Sequence, residues 1–121
     1  MNEIKEYTEK VFEDIKNIDE NDNEYWFARE LMTVLEYEEW RKFDKVIKKA
    51  MEACVGSNYN ASDHFVPKDK MVSIGSNTVR KIQDYQLSRY ICYLIVQNAN
   101  PKKKMVALGQ TYFAIQTRNL V

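Results

Sequence analysis

Six cations in the second half of the chain are the side chains whose type and spacing point most directly to chemistry: Lys102-Lys103-Lys104, the pair Arg80-Lys81, and Arg118. Their chemistry is neutralisation of phosphate, which gives binding that is steeply salt-dependent and largely independent of base sequence. The triple lysine follows Pro101 and stands where a helix is predicted to begin. Cations oppose the helix dipole there, so the run suggests an external anion, with solubility as the alternative reason for it. Arg41, Lys42, Lys45, Lys48 and Lys49 form a second basic set, on a helix that follows a short helix and a break, the outline of a helix-turn-helix. Glu38 and Glu39 occupy the first turn of that second helix and would repel phosphate. The second set therefore reads as a solvated helix face.

Catalytic constellations are missing from the sequence. It has no G-x-S-x-G elbow, P-loop, G-x-G-x-x-G or H-E-x-x-H. His64 is the single histidine and follows Asp63, but sequence neighbours seldom face each other as a triad requires, and no Ser or Cys is marked as nucleophile. Cys54 and Cys92 fall on apolar helix faces, where cysteine behaves as a small hydrophobe. The carboxylates lie mostly on exposed helix faces rather than converging. No enzyme activity, cofactor, metal site or small-molecule substrate is expected.

The elements that must carry the cations follow from length, charge and periodicity. The 121 residues suit one domain spanning 1–121. Eighteen Lys+Arg balance eighteen Asp+Glu, yet residues 1–60 hold 9 bases and 15 acids, while residues 61–121 hold 9 bases and 3 acids. Such a split marks a partner surface for nucleic acid or an acidic protein, unless the two halves neutralise each other within the fold. No apolar run approaches a membrane span, the N-terminus lacks a signal peptide, and two cysteines make no disulfide framework, so a cytoplasmic location is expected.

Ile4, Tyr7, Val11, Ile15 and Ile18 recur at helical spacing and predict a helix ending near Lys16; the alternative pairs Phe12 to Ile18 with Tyr25-Trp26-Phe27 as a short hairpin. Asp19 to Asn23 reads as an Asx-rich turn. A short helix carries Ala28, Leu31, Met32 and Leu35, and Glu36-Tyr37-Glu38 breaks it. A longer one, from about Glu39 to Val55, buries Trp40, Phe43, Ile47, Ala50 and Cys54, pairs Glu38 with Lys42 and Asp44 with Lys48, and closes on Gly56 as a C′ residue. Ser57 to Pro67 reads as a surface crossing. Lys70–Ile74 and Val79–Leu87 flank Gly75-Ser76-Asn77-Thr78 as a hairpin with a four-residue loop, which must lie on helices or pair with a further strand. Ser88 caps a helix that is apolar nearly all round, and Asn98 to Pro101 stops it. The last helix bears Met105, Leu108, Tyr112 and Ile115 on one side and the small residues Ala107, Thr111 and Ala114 on another, a place for a homodimer contact. The class is α+β: a helix-rich single domain with a β-hairpin at about 70–87 packed on helices.

Strings along the chain add a resemblance. Glu24 to Leu31, Trp40 to Phe43, Val46 to Ala50, Asp63 to Phe65, Gly75 to Asn77, Asp84 to Tyr90, Gln97-Asn98, Pro101 and Gln110 to Arg118, in this order and spacing, resemble the N-terminal part of the bacterial DNA damage-inducible protein D family. That family is similar in turn to the Bro amino-terminal domain of viral and phage proteins, including antirepressors. The resemblance covers nearly the whole chain from about Phe12. It implies a non-enzymatic protein of the SOS response, with DNA or a RecA-type recombinase filament as partner; the competing expectation is an antirepressor-type protein-interaction domain. Family members are usually longer, with a further C-terminal region. The resemblance assigns no contact residues, and Trp26, Arg29, Asp84, Arg89 and Gln110 read as structural positions: a buried anchor, caps and buried polar partners.

Overall fold

Trp26, Leu87 and Phe65 come from distant parts of the sequence and meet as one row across a sheet. In the computed structural model, which describes residues 10–57 and 61–118, strand β2 (Glu24–Phe27) pairs antiparallel with β6 (Tyr85–Ser88), placing Trp26 opposite Leu87. Strand β3 (Phe65–Pro67) pairs with the other edge of β6 and sets Phe65 opposite the same Leu87. Strand β1 (Asn17–Ile18) completes the order β1-β2-β6-β3. Because side chains alternate across a strand, the Trp26–Leu87–Phe65 row faces the core and is at most 5% exposed, while Tyr25, Gln86 and Ser88 take the other face.

Helices cover the buried face. A helix over residues 10–14, α1, supplies Phe12. Helix α2 (Ala28–Val34) leaves β2 without a break, α3 (Trp40–Gly56) follows, and α4 (Arg89–Asn98) leaves β6 directly. Helix α4 packs against α3 on one side and α5 (Lys104–Arg118) on the other, which is why it is apolar nearly all round. Ser88 caps α4 as predicted, its Oγ accepting the Ile91 N–H at 3.2 Å. Phe12, Trp26, Tyr112 and Phe113 form an aromatic knot where α1, β2 and α5 meet, with ring centroids 4.8 to 5.3 Å apart.

The α+β class holds, and so do α2, α3 and the hairpin, but several local expectations change. The first helix and the first hairpin both exist in succession: helix through residue 14, then β1 paired with β2 at Asn17–Tyr25 and Ile18–Glu24. Ile18, expected in the core, is 58% exposed, because a strand reverses the side that helical spacing assigned to it. Ile4 and Tyr7 lie outside the described residues. Glu39 is the N-cap of α3 rather than part of its first turn, and Lys42 lies 3.7 Å from Glu39 instead of pairing with Glu38; Asp44–Lys48 forms as expected at 3.0 Å. Gly56 remains helical and Ser57 follows as the cap. On α5 the buried positions are Val106, Gly109, Tyr112 and Phe113, not the row through Leu108 and Ile115. Gly109 decides this, because a Cβ there would stand 3.0 Å from Phe12 Cζ and 3.3 Å from Val96 Cγ1.

The largest change concerns the hairpin. Its second strand ends at Ile82, not Leu87: β4 (Lys70–Gly75) pairs with β5 (Thr78–Ile82) as a separate two-stranded sheet, while β6 belongs to the main one. The loop is the two residues Ser76-Asn77, with Gly75 at φ 155° and Asn77 at φ 62°. Only Val72 and Ile82 of this hairpin are half-buried, and the rest is exposed, so it stands out as an arm rather than lying on helices. Within the polar segment Ser57 to Pro67, expected to cross the surface, Phe65–Pro67 is instead the edge strand, where a proline is tolerated.

Candidate nucleic-acid interface

The arm is fixed at its base and free along its length. Asp84, 3% exposed, accepts the backbone N–H of Arg29 at 3.0 Å and of Tyr85 at 2.8 Å through Oδ1, so a residue 55 positions away caps the start of α2. Arg29 in turn donates from Nε to the Gln83 carbonyl at 2.7 Å and stacks over the Trp40 ring at 4.2 Å. Trp40 Nε1 donates to Gln83 Oε1 at 3.4 Å, and its ring stacks on Tyr85. The start of α3 and the root of the arm are thereby one assembly. Beyond the root, Lys70, Arg80 and Lys81 are exposed; Lys81 lies 3.4 Å from Asp69, a surface pair that water and salt screen.

The triple lysine is a second cluster, on the chain leading into α5 rather than on the arm. Lys102 and Lys104 are exposed, and Lys104 is the first residue of α5. Lys103 turns inward: its Nζ donates to the Glu36 carbonyl at 3.0 Å and sits 5.0 Å from the centre of the Tyr37 ring. The Glu36 carboxylate accepts the Met105 N–H at 3.2 Å, which is the negative cap that a helix start favours. Glu36 holds a left-handed φ of 66° to reach it. The anion at this helix start is therefore the Glu36 carboxylate on the Met105 N–H, Lys103 is held by the Glu36 carbonyl and the Tyr37 ring, and Lys102 and Lys104 remain turned to solvent. Arg118 closes α5, and its side chain lies outside the described residues.

Lys42 and Lys103 border one cleft of about 480 Å³ with Glu36, Glu38 and Glu39. Lys42 is the α3 residue that lines it; Arg41, Lys45, Lys48 and Lys49 are also exposed on that helix. Lys70 joins Arg80 and Lys81 on the arm, a member that the sequence did not single out although it opens the first predicted strand. Only the pairing register shows that it stands with them.

The other charged groups serve the fold. Glu24 accepts a parallel pair of hydrogen bonds from Arg89, Nε to Oε1 at 3.0 Å and Nη2 to Oε2 at 2.8 Å, and also meets Lys16 at 2.8 Å. The Arg89 guanidinium, helped by Lys16, holds the Glu24 carboxyl down at about 2. Tyr112 donates to Glu13, and burial together with that acceptor pushes its phenol well above the usual range. His64 Nδ1 shares a hydrogen bond of 2.6 Å with Ser88 Oγ, so the lone histidine buttresses the cap of α4. Trp26 donates to the Phe12 carbonyl and Gln110 to the Val96 carbonyl, both at 2.9 Å. Burial raises the thiols of Cys54 and Cys92, both free. Among the described residues no group of three or more His, Cys, Asp or Glu could hold a metal ion, and no helix is long and apolar enough to cross a membrane.

Residues 14–114 match the BRO family, N-terminal domain. The chain belongs to that family. This BRO N-terminal domain is also 52% identical over 107 residues to DNA damage-inducible protein D of Escherichia coli (strain K12), a match that covers 88% of the chain. It spans 39% of the length of that relative. No solved structure matches it.

Proposed function

We propose that this BRO N-terminal domain is a non-enzymatic binding module of the DNA damage response, which engages DNA, or a RecA-type filament on DNA, by neutralising phosphates in the cytoplasm. The arm β4–β5 carries the proposal. Lys68 to Ile82 contains four cations and one acid and projects from the body with its charges in solvent. A solvated cation set with few internal partners releases counterions from a polyanion at little desolvation cost. Lys102, Lys104 and the basic side of α3 extend the same chemistry along the body. The similarity to a protein named for its induction by DNA damage supports the physiological setting.

Fluorescence anisotropy with labelled DNA at two salt concentrations, with and without a RecA-type filament, tests it. Affinity falls steeply with salt, and the combined reversal of Arg80, Lys81, Lys102 and Lys104 to Glu abolishes it. Equal binding by that variant, or binding insensitive to salt, overturns the proposal.

A second reading, an antirepressor-type contact with a basic protein, is favoured by the cleft of about 470 Å³ on the other face of the main sheet, whose walls include Asp19, Asp22, Glu24 and Asp63. Capture of a repressor or recombinase that survives nuclease treatment and is lost on reversing Asp22 and Asp63 would support it over the first.

A further inference from the structure

The pairing register sorts the arm's side chains onto two faces. Met71 stands opposite Lys81 and Ser73 opposite Val79, so these four share one face; Lys70 opposite Ile82 and Val72 opposite Arg80 share the other. Val72 and Ile82 are half-buried, so the second face leans on the body near its root. All four residues of the first face are exposed, with Met71 at 60% and Val79 at 59%. Ile74, displaced by the irregularity between Ser73 and Gly75, is 58% exposed near the tip. Two strands without a third or a covering helix are marginal in water. Exposed aliphatic groups on both strands gain only when a partner removes them from water.

We propose that the arm enters the major groove of duplex DNA, with Met71, Ser73, Val79 and Lys81 against the base edges and with Lys70 and Arg80 toward the phosphates of the groove walls. This rests on the nucleic-acid reading above and narrows it to the duplex. Size is the first reason. Paired strands lie about 4.8 Å apart, and the major groove, about 12 Å wide, admits a two-stranded ribbon, whereas the minor groove at about 6 Å must first be widened by bending the duplex. The second reason is chemical match. Met71 and Val79 suit the thymine methyl group, which only the major groove displays, Lys81 suits the guanine O6 and N7 acceptors, and Ser73 can donate or accept. The third reason separates duplex from single strand. Binding of single strands relies on exposed rings that stack on bases. Every Phe, Trp and Tyr among the described residues is buried or half-buried, and the arm from Lys68 to Ile82 has none. Its net charge, four cations against Asp69, complements a polyanion and disfavours a second copy of the arm.

The test is repeated selection by the 121-residue chain from a random duplex pool, followed by anisotropy on the enriched duplex, on its isolated strand, and on the duplex occupied by methyl green in the major groove or netropsin in the minor groove. The expected result is an enriched sequence bound at least about tenfold tighter as duplex than as single strand. Methyl green displaces the protein and netropsin does not. The double variant Met71→Ala, Val79→Ala loses about tenfold in affinity with an unchanged salt slope, since it removes base contacts and no cation. Both positions are exposed, so the variant keeps the wild-type unfolding midpoint. A pool that enriches no sequence, equal affinity for the single strand, displacement by netropsin alone, or an unaffected double variant overturns the groove inference while leaving phosphate binding in place. Failure to bind DNA of either form at low salt removes both.

Discussion

Glu24 and Arg89 face each other edge to edge across the seam between β2 and α4, and the guanidinium lies 5.0 Å from the Trp26 ring centre. Arg89 is 6% exposed, so this pair is a buried charge held by one carboxylate. The Glu24 carboxyl titrates at about 2 in the fold against an ordinary 4.5. A depressed carboxylate contributes stability that is present above its ordinary value and lost as pH falls through its folded value. The loss therefore runs from about pH 4.5 down to pH 2, and at 1.36 kcal/mol per unit amounts to about 3 kcal/mol. Urea midpoints measured across that window check it. Glu24→Gln is expected to be less stable by about 2–4 kcal/mol at neutral pH, because Arg89 stays buried with a weaker partner. Its midpoint should depend less on acid than that of the parent, and an identical acid profile would remove Glu24 from this role.

Asp84 gives the second expected outcome. It serves two backbone N–H groups at once and stands in for the side-chain cap that α2 lacks at Phe27. Asp84→Ala strands both donors in a nearly closed site and is expected to lower stability by about 2–3 kcal/mol. Asp84→Asn keeps an acceptor oxygen and should cost about half as much. Thermal unfolding of the two variants, compared with the parent, measures the difference.

Much of this framework is legible along the sequence wherever the deciding forces are local. Phe43, Ile47, Ala50 and Cys54 recur at the helical period and are all buried in α3, and Ser88 caps α4 with the chemistry expected of serine. Trp26 is the buried anchor, Asp84 the cap and Arg89 the buried polar partner expected of them, while Arg29 and Gln110 bond to backbone carbonyls from half-buried positions. What escapes is set by distant partners. Val79 to Leu87 looks like one strand, and the break at Gln83-Asp84 exists because Asp84 turns back to Arg29 and Gln83 is held by Arg29 and Trp40. On α5 two helical rows compete, and the one through Gly109 wins because Phe12 needs the space. The candidate cations were legible as residue types. Which of them are committed internally was not, since Glu36 reaches Met105 only through a left-handed backbone that no pattern announces.

Gly109 and Gly56 form an internally controlled pair of substitutions. A methyl at Gly109 would press on Phe12 at 3.0 Å, Val96 at 3.3 Å and Leu35 at 3.4 Å, all in the core. The crowding outweighs the helix propensity gained, so Gly109→Ala should destabilise by about 1–2 kcal/mol. Gly56 has no heavy atom within 4 Å of a built Cβ and lies in the last turn of α3, so Gly56→Ala should gain up to about 1 kcal/mol. Chemical denaturation of both variants reads opposite signs. Equal signs would mean that α5 does not approach Phe12 as closely as described.

Lys103 and Arg80 separate cations that hold the fold from cations free to meet phosphate. Lys103 contributes a hydrogen bond to the Glu36 carbonyl and a cation–π contact with Tyr37, so Lys103→Ala should cost about 1 kcal/mol of stability. Its charge is already engaged, and the slope of log affinity against log salt should barely move. Arg80 is exposed on the arm, so Arg80→Ala should leave the unfolding midpoint where it was and reduce the magnitude of that slope by about one. Paired measurements of unfolding and of salt-dependent DNA binding on the two variants decide the matter. If Lys103 carries the slope and Arg80 does not, the interface lies at the start of α5 and the arm has another partner.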